Sequence, residues 1–380
     1  MYHSLFQHHF ESLLRFWTAS RDPGGNGYHH NRDWKGTVLP GPQRNLLIHS
    51  RLLYMYAEGV RLGHGFAREH ADNLHGFLVG HMRDEDGGYG TLDGTEWRTP
   101  GILSTYDNLF VVIGLARYAE ATGSEEARAE AWRLLEMIET RCAPEGVEKG
   151  LRGYAGTDTP PPGSRLGFFT GNINLHYLEA LCCLQRAGGG EIGCRLQKIR
   201  SFFQTWILDD SRWITHEDFG ESYAHPHVEP GAASSLAHAL EWVDFFREAG
   251  SPLDPETEQG LMHKGLEHGV DTDGFFRDAF YLHEGRAAGA ASFWTQVEAA
   301  KTFNRASEFD PQGLWADAAK RVTDYYFRHF VDPEGGVFSR VDRTGVVTSR
   351  YKGYKWKCDY HSVRLCVDAL ERGGGALFDG

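Results

Sequence analysis

Three histidines and one arginine stand out in the sequence because each lies within an otherwise apolar stretch. They are Arg51, His176, His238 and His361, and they come from four separate parts of the 380-residue chain. Imidazole titrates near neutral pH and can take or give a proton, while a guanidinium stabilises a developing oxyanion. The chemistry that suits such a set is proton transfer at a carbon beside a carbonyl group.

Carboxylates and aromatic rings accompany these four residues. Glu241 follows His238 at the i+3 position, where a carboxylate can orient an imidazole or raise its pKa. The other companions lie near the predicted starts of apolar helices, and they are Tyr106, Asp107, Trp294, Glu298 and Trp356. Because flat indole rings stack on sugar faces, Trp294 and Trp356 indicate a carbohydrate ligand.

Two other functions fit parts of this set. An inverting glycoside hydrolase needs a separated pair of carboxylates, and the acids available are Asp84, Asp86, Asp107, Asp273 and Glu298. Most of the loop acids are better explained as turn-forming residues. A non-catalytic carbohydrate-binding protein would use the histidines only for structure. An enzyme that moves protons with histidine is the favoured hypothesis.

The segment HEDFGESYAHPHVEP, residues 216–230, is a candidate metal site. His225 and His227 form a His-x-His pair, with His216 and Glu229 nearby. Such a pair can bind a metal, but no third ligand stands at a diagnostic spacing. We interpret this segment as a loop beside the site. Because no phosphate-binding glycine motif is present either, we expect neither a metal nor another cofactor.

The elements that must position these residues repeat along the chain. Short acidic loops that contain glycine or turn-forming residues recur at intervals of roughly 60 residues, with centres near 24, 87, 146, 211, 274 and 335. Asp-Gly and Gly-Gly steps supply the positive φ angles of tight turns. The loops are therefore predicted to form short β-hairpins.

Pairs of helices are predicted between the loops. The first helix of each pair is more apolar, at 44–60, 104–122, 172–187, 234–249, 291–306 and 360–372, and the second is more charged, at 66–82, 124–142, 189–207, 254–270 and 310–330. Helix starts are marked by Ser124, Asp254-Pro255 and Asp310-Pro311. A further helix near residues 3–18 supplies the missing outer partner.

Twelve helices that alternate in this way predict an all-α fold, a closed (α/α)6 toroid (barrel) of six inner and six outer helices with hairpin loops. An open solenoid would need polar terminal caps, whereas the last helix, 360–372, is apolar and lacks a following partner. In a closed ring the inner helices run the same way. Their first turns therefore gather at one end, which we call the mouth.

Composition limits the partners of this chain. The formal net charge of −13 disfavours nucleic acid and anionic membranes as partners. No run of 18 apolar residues is present, and the first residues lack the pattern of a signal peptide. The six cysteines show no Cys-x-x-Cys spacing and are interpreted as buried, reduced thiols. We expect one cytoplasmic domain over residues 1–380, a monomer or homodimer, whose partner is a small-molecule sugar.

Six segments of the chain carry a family resemblance. In order, they are HSRLLYMYAEG, TYDNLFVVIGLARYAEATG, NINLHYLEAL, HALEW, FWTQVEA and WKCDYHSVRLC. Each is similar to a motif of the N-acylglucosamine 2-epimerase superfamily, which includes N-acylglucosamine 2-epimerases, cellobiose 2-epimerases and mannose or sulfoquinovose isomerases. Members of this group are (α/α)6 barrels, and the similarity extends over nearly the whole chain.

The resemblance implies a reaction and a role for each matched residue. The reaction is ring opening of a reducing sugar, removal of the C2 proton and formation of a cis-enediolate, without a metal or redox cofactor. The resemblance implies His238 and His361 as the acid/base pair, with Arg51 and His176 binding the oxygens at C1 and C2. The remaining implied site residues are Glu241, Tyr106, Asp107, Asn172, Trp294, Gln296, Glu298 and Trp356.

One segment departs from the family pattern. The family usually has Pro-Gly or Tyr-Gly directly before the histidine of the fourth inner helix, whereas here AASSLA separates EPG from HALEW. Either this loop is rearranged, or His225 or His227 acts in place of His238.

The motifs divide between two reactions. NINLHYLEAL resembles the cellobiose epimerase and mannose isomerase branches, TYDNLF is similar to monosaccharide isomerases, and WKCDYH is similar to cellobiose epimerases. We favour from sequence an aldose–ketose isomerase of the D-mannose to D-fructose type. The alternative is a 2-epimerase of cellobiose, of mannose and glucose, or of an N-acylglucosamine.

Overall fold

The computed structural model describes residues 2–97, 101–143, 153–158, 168–310, 312–349 and 351–372. Two sets of helices alternate along them. The inner set is α2 (Leu46–Arg61), α4 (Thr105–Thr122), α6 (Gly171–Ala187), α8 (Leu236–Glu248), α10 (Phe293–Ser307) and α12 (Tyr360–Glu371). The outer set is α1 (Tyr2–Thr18), α3 (Ala67–Phe77), α5 (Glu125–Arg141), α7 (Gly193–Phe202), α9 (Pro255–Lys264) and α11 (Leu314–His329). Single π-helical turns extend α3, α7 and α9, at Leu78–Met82, Phe203–Ile207 and Gly265–Gly269.

The inner helices close into a ring. Each inner helix packs against the next, and α12 packs against α2, while α1 contacts both α12 and α2 from outside. At this seam Asp359 accepts hydrogen bonds from Trp17 Nε1 (2.9 Å) and Lys357 Nζ (2.7 Å). The predicted (α/α)6 toroid, with its N-terminal helix as the last outer partner, is confirmed over the described residues.

Short antiparallel strands join the loops near the starts of the inner helices. The pairs are Arg32–Asp33 with Tyr351–Gly353, Phe169–Thr170 with Asp218–Phe219, Leu208–Asp209 with Ile214–Thr215, and Ala291–Ser292 with Arg340–Val341. Three-stranded sheets join Gln43–Arg44, Leu92–Asp93 and Glu96–Trp97, and likewise Ala233–Ser235, Ala279–Tyr281 and Arg286–Ala288. Bridges such as Arg83 with Tyr89 and Val270 with Phe276 close the predicted hairpins. The predicted third loop, centred near residue 146, falls on residues 144–152, which lie outside the described residues.

A recurring hydrogen bond fixes each of four hairpins to the inner helix that follows it. The backbone N–H of an aromatic loop residue donates to the fourth residue of the helix: Tyr28 to His49, Tyr89 to Asn108, Tyr154 to Asn174 and Phe276 to Gln296. The accepting side chains are buried. Because an unpaired polar group there would be costly, this repeated bond holds the loops rigidly around the mouth.

Capping side chains determine where the helices begin. The predicted N-caps Ser124 and Asp254 are confirmed, since each accepts a backbone N–H of the first turn of its helix. The predicted start at Asp310 is wrong, because α11 begins at Leu314. Gly313 precedes it with a φ of 73°, a left-handed conformation that helical residues do not adopt.

Two expectations about the molecular surface are also tested. Five cysteines are buried as predicted, but Cys194 is exposed because it faces solvent on the outer helix α7. Among the described residues, no helix combines the length and the apolar character that a membrane span requires.

Gly274→Ala is expected to lower the free energy of unfolding by about 2–4 kcal/mol. The φ of Gly274 is +92°, and a Cβ there would lie 2.0 Å from the backbone carbonyl oxygen of Arg321 on α11. Gly285 has a φ of +63° with no neighbouring atom in the way, so Gly285→Ala is the matched control. Only the strain of the left-handed backbone applies there, about 1 kcal/mol. An equal decrease of Tm in the two variants would contradict the packing argument.

Candidate active site

The predicted site residues lie where the inner helices begin. Arg51 is on α2, Tyr106 and Asp107 on α4, Asn172 and His176 on α6, His238 and Glu241 on α8, Trp294, Gln296 and Glu298 on α10, and His361 on α12, with Trp356 just before it. Direct contacts link several of these helices. The ring of Trp294 contacts both His238, at a centroid distance of 4.9 Å, and His361, at 5.9 Å. The two histidines predicted as the acid/base pair therefore share one indole.

His361 is held by a carboxylate from the neighbouring helix. Its Nδ1 lies 2.7 Å from Glu298 Oε1. An imidazole that donates Nδ1–H to a carboxylate keeps the lone pair on Nε2 and can act as a base. Burial lowers the pKa of His361 to about 4, although Glu298 acts in the opposite direction. The ring is therefore neutral at physiological pH.

His238 is held by Glu217, a residue of the loop between α7 and α8. Its Nδ1 lies 2.7 Å from Glu217 Oε2, while Glu217 Oε1 accepts the backbone N–H of Ser235 at 3.2 Å. Burial acts to lower the pKa of His238, but the charge and the hydrogen bond of Glu217 outweigh it and raise the pKa to about 9. His238 therefore carries a proton at physiological pH.

His176 has a carboxylate partner on its own helix. Its Nδ1 lies 2.7 Å from Glu179 Oε2, and Glu179 Oε1 accepts a hydrogen bond from the Tyr360 hydroxyl. Burial lowers the pKa of His176, so this ring is neutral as well. The His176 ring packs against those of Tyr106 and Phe110, which fixes its orientation at the mouth.

Of the carboxylates that hold the histidines, Glu179 and Glu217 were missed in the sequence, whereas Glu298 was predicted as a substrate contact and is found to hold His361. Glu179 could have been found by the i+3 spacing that was applied to His238 and Glu241. For that pair the spacing indicates the wrong hydrogen-bond partner, because Nδ1 of His238 bonds to Glu217. Glu241 acts to raise the pKa of His238 only when it is ionised. Glu217 lies outside the repeated helices, where no periodic signal identifies it.

Arg51 forms the cationic side of the site. Its guanidinium lies 4.2 Å from the ring centroid of Phe110, and it donates to the Tyr106 hydroxyl (3.0 Å) and the Trp356 carbonyl oxygen (3.2 Å). Its Nε is buried without a hydrogen-bond partner among the described residues. A buried, partly unpaired guanidinium is suited to bind an anionic oxygen.

Two buried carboxyl groups lie deeper in the ring. Ligand atoms of Glu241, Glu298 and His361 lie within 4.8 Å of one another, a spacing that would also suit a metal. However, Glu298 already pairs with Lys301, and Arg364 lies 3.8 Å from Glu298 and 4.0 Å from Glu241. These two cations compensate the charge that would attract a metal ion.

The two carboxyl groups differ in protonation. Burial and then the negative charge of Glu298 raise the pKa of Glu241 well above its usual value. Burial acts to raise the pKa of Glu298 too, but Lys301 and Arg364 outweigh it and hold that pKa low. Glu241 is therefore a neutral acid beside an ionised Glu298. Both carboxyl oxygens of Glu241 lack a hydrogen-bond partner among the described residues.

The remaining predicted residues divide into two groups. Trp356 is 55% exposed at the mouth, Asn172 Oδ1 is buried and unpaired within the described part of the chain, and burial raises the pKa of Asp107 to about 6. Gln296 is different, since its amide donates to the carbonyl oxygens of Gly274 and Val322 and its Oε1 accepts from Phe276. The predicted substrate contact of Gln296 is corrected to a structural role.

The loop that departs from the family pattern leaves His238 at the mouth. His225 Nδ1 bonds to the Ser222 hydroxyl at 3.0 Å, within its own loop. His227 donates its backbone N–H to the Asp218 carbonyl oxygen, beside the glutamate that holds His238. Glu217, from the loop between α7 and α8, is the partner of His238, and His238 stays the candidate acid/base residue.

Comparison with known proteins places the chain among sugar-processing enzymes. The family model described as N-acylglucosamine 2-epimerase matches residues 27–364. A cellobiose 2-epimerase from Ruminococcus albus is 24% identical over 384 residues, which cover 96% of each chain. The structure of cellobiose 2-epimerase from Bacillus thermoamylovorans superposes with a TM-score of 0.87 at 22% identity, over 98% of this chain and 99% of that one. A D-mannose isomerase superposes with a TM-score of 0.84 at 16% identity, over 97% of each chain. The chain belongs to the N-acylglucosamine 2-epimerase family and is an enzyme of the epimerase and isomerase class.

Proposed function

We propose that this protein catalyses the cofactor-independent 2-epimerisation of a free reducing sugar through a cis-enediolate. The observation that carries the proposal is the pair of histidines on Trp294, of which His361 is neutral and His238 is protonated. An epimerase needs both states at once, because one group removes the C2 proton and the other supplies a proton to the opposite face. The cellobiose 2-epimerases among the relatives support the same reaction.

The proton transfers follow from these protonation states. Nε2 of His361 takes the proton from C2 of the open-chain aldose, and the electron pair of that bond forms the C1–C2 double bond. The carbonyl oxygen on C1 becomes the enediolate oxygen, which Arg51 and neutral His176 stabilise. His238 then gives its proton to the other face of C2, and the electron pair returns to the C1 carbonyl. The product is the 2-epimer.

The other site residues bind and orient the sugar. Trp294 and Trp356 offer faces on which a pyranose stacks. Tyr106, Asp107 and Asn172 supply polar groups, while Glu241, as a neutral acid, can donate a hydrogen bond to a sugar oxygen during ring opening. The site therefore has polar and acidic groups that bind the sugar oxygens, and histidines that transfer protons at C2.

Aldose–ketose isomerisation, the reaction favoured from the sequence, is the second candidate. It returns the proton to C1, and a single base on one face suffices because the C2 proton is handed back as a C1 proton. The TYDNLF segment and the D-mannose isomerase neighbour favour it. Isomerisation by a single base does not require His238 to donate its proton to a carbon atom. We therefore place epimerisation first.

The carboxylates also weigh against a glycoside hydrolase. Glu179, Glu217 and Glu298 each accept a hydrogen bond from a histidine. Carboxylates engaged in this way orient bases and are not a free pair flanking a scissile bond.

Incubation in D2O with cellobiose, mannose, glucose, fructose and N-acetylmannosamine, followed by NMR, tests the proposal. We expect a C2 epimer that carries deuterium at C2. A ketose product would favour the second candidate. Release of reducing ends from an oligosaccharide would favour a hydrolase, and the absence of both conversion and deuterium uptake with every sugar would contradict the proposal.

Glu217→Gln is expected to move the alkaline limb of the kcat/KM profile from near pH 9 toward neutrality. The acidic groups that face His238 are Glu217, Glu241 and Asp278, of which Glu241 is protonated. Without the first of these, burial dominates and the pKa of His238 falls, so the proton it must donate is lost at lower pH. Activity at pH 8 should drop by about tenfold. NMR titration of His238 checks the pKa directly, and Glu221→Gln, an exposed change in the same loop, is the matched control. An unmoved limb would contradict the role of Glu217.

A further inference from the structure

We infer that Lys301 is a positioning residue for the base His361, acting through Glu298; the inference rests on the proposed function. Lys301 is 1% exposed and lies one turn beyond Glu298 on α10. It does not reach the histidines. Its ammonium group instead contacts the carboxylate that holds one of them.

The two oxygens of Glu298 have separate tasks. Oε1 accepts from Nδ1 of His361 at 2.7 Å, and Oε2 pairs with Nζ of Lys301. An ionised carboxylate must accept from the imidazole, so it enforces the tautomer whose Nε2 is a free base. A protonated Glu298 could donate to Nδ1 instead, and the proton would then sit on Nε2, where it blocks the base.

Lys301 is itself fixed from the opposite side. Its Nζ lies 3.2 Å from Asp244 Oδ2, and Asp244 Oδ1 lies 2.9 Å from Arg305 Nε. The ammonium group is thus clamped between carboxylates of α8 and α10. The charge of Lys301 sets the ionisation of Glu298, and the contact with Asp244 contributes only to the fixed position of the ammonium group.

All titratable and charged groups around Glu298 must be considered before its ionisation is assigned to Lys301. His361 and Arg364 face it from α12, Glu241 from α8, and Lys301 from its own helix, with Asp244 behind the lysine. Arg364 is shared with Glu179 and Glu241, at 3.1 and 4.0 Å. Lys301 is the cation in direct contact with Glu298. Without it, the buried negative charge of Glu298 lacks adequate compensation, and the pKa of Glu298 rises.

The test is the pH dependence of the solvent exchange at C2 in Lys301→Met. We expect kcat to fall by about 10- to 100-fold with little change in KM. Because Glu298 then holds its proton to higher pH, the acid limb should also move to higher pH. Lys301→Arg, which keeps the charge, should return the limb toward its original position. If the methionine variant does not fold, Lys301→Gln carries the same expectation.

Asp244→Asn is the matched control because it alters the same buried network while leaving the pair of Lys301 and Glu298 in place. Its acid limb should coincide with that of the unmodified protein. A fall in kcat without movement of the limb in Lys301→Met, or an equal movement in Asp244→Asn, would overturn the inference. The 15N spectrum of His361 gives a readout that needs no substrate: Nδ1–H in the unmodified protein and its loss in Lys301→Met. If no sugar exchanges, the proposed function fails, and this spectrum still decides the inference.

Discussion

His361→Ala should fold normally and lose at least about 10²-fold in kcat, the usual effect of deleting a general acid/base. His361 supplies the neutral Nε2 that takes the C2 proton, and the other histidines are unsuited to replace it. His238 is already protonated, and His176 lies across the site against Tyr106 and Phe110. Steady-state kinetics on the sugar identified by deuterium exchange measures the loss.

Two further measurements make this result specific. His8→Ala, the same change on the exposed side of α1, should leave kcat unchanged, and thermal melting should show both variants folded. In the unmodified protein the acid limb of kcat/KM should lie near pH 4, because below that pH His361 is protonated and cannot act as a base. Near-normal turnover of His361→Ala would remove this residue from the mechanism.

The helices were predictable because their signals are local. The predicted helix at 104–122 is observed at Thr105–Thr122, where Ser104 is an N-cap and Gly123 adopts the left-handed C-terminal conformation. Apolar periodicity and these two residues are all that such an assignment needs. Ring closure was also predictable, since an apolar last helix without a partner must be covered by another part of the chain.

The histidines were predictable, but their protonation states were not. A state depends on which carboxylate bonds to Nδ1, and the partners of His238 and His361 come from other elements, 21 and 63 residues away in sequence. The clamp on Lys301 by Glu298 and Asp244 likewise joins two helices. Gln296 was assigned to the substrate although it fixes a hairpin, because a motif match does not distinguish a polar group that faces the ligand from one that has a structural role.

His238→Gln should lose at least about 10²-fold in epimer formation while it retains deuterium exchange at C2 of the starting sugar. Glutamine fills a similar volume and cannot deliver a proton to carbon. For the epimer whose C2 proton faces His361, that base still removes the proton and returns a solvent deuteron to the same face. The two measurements come from one NMR time course, so the ratio of exchange to epimerisation is free of errors in enzyme concentration.

The opposite epimer gives the sharper half of this prediction. Its C2 proton faces His238, so in His238→Gln it meets no base, and both exchange and epimerisation should be lost. His361→Gln should show the mirror pattern above about pH 9, where His238 has lost its proton and acts as a base, with exchange retained only in that second epimer. If His238→Gln loses exchange and epimerisation equally from both epimers, His238 binds the sugar and does not protonate carbon. In the expected outcome each variant retains exchange in one epimer only, and the two variants retain it in opposite epimers. Binding roles alone cannot produce this result, because binding acts on both epimers through the same groups.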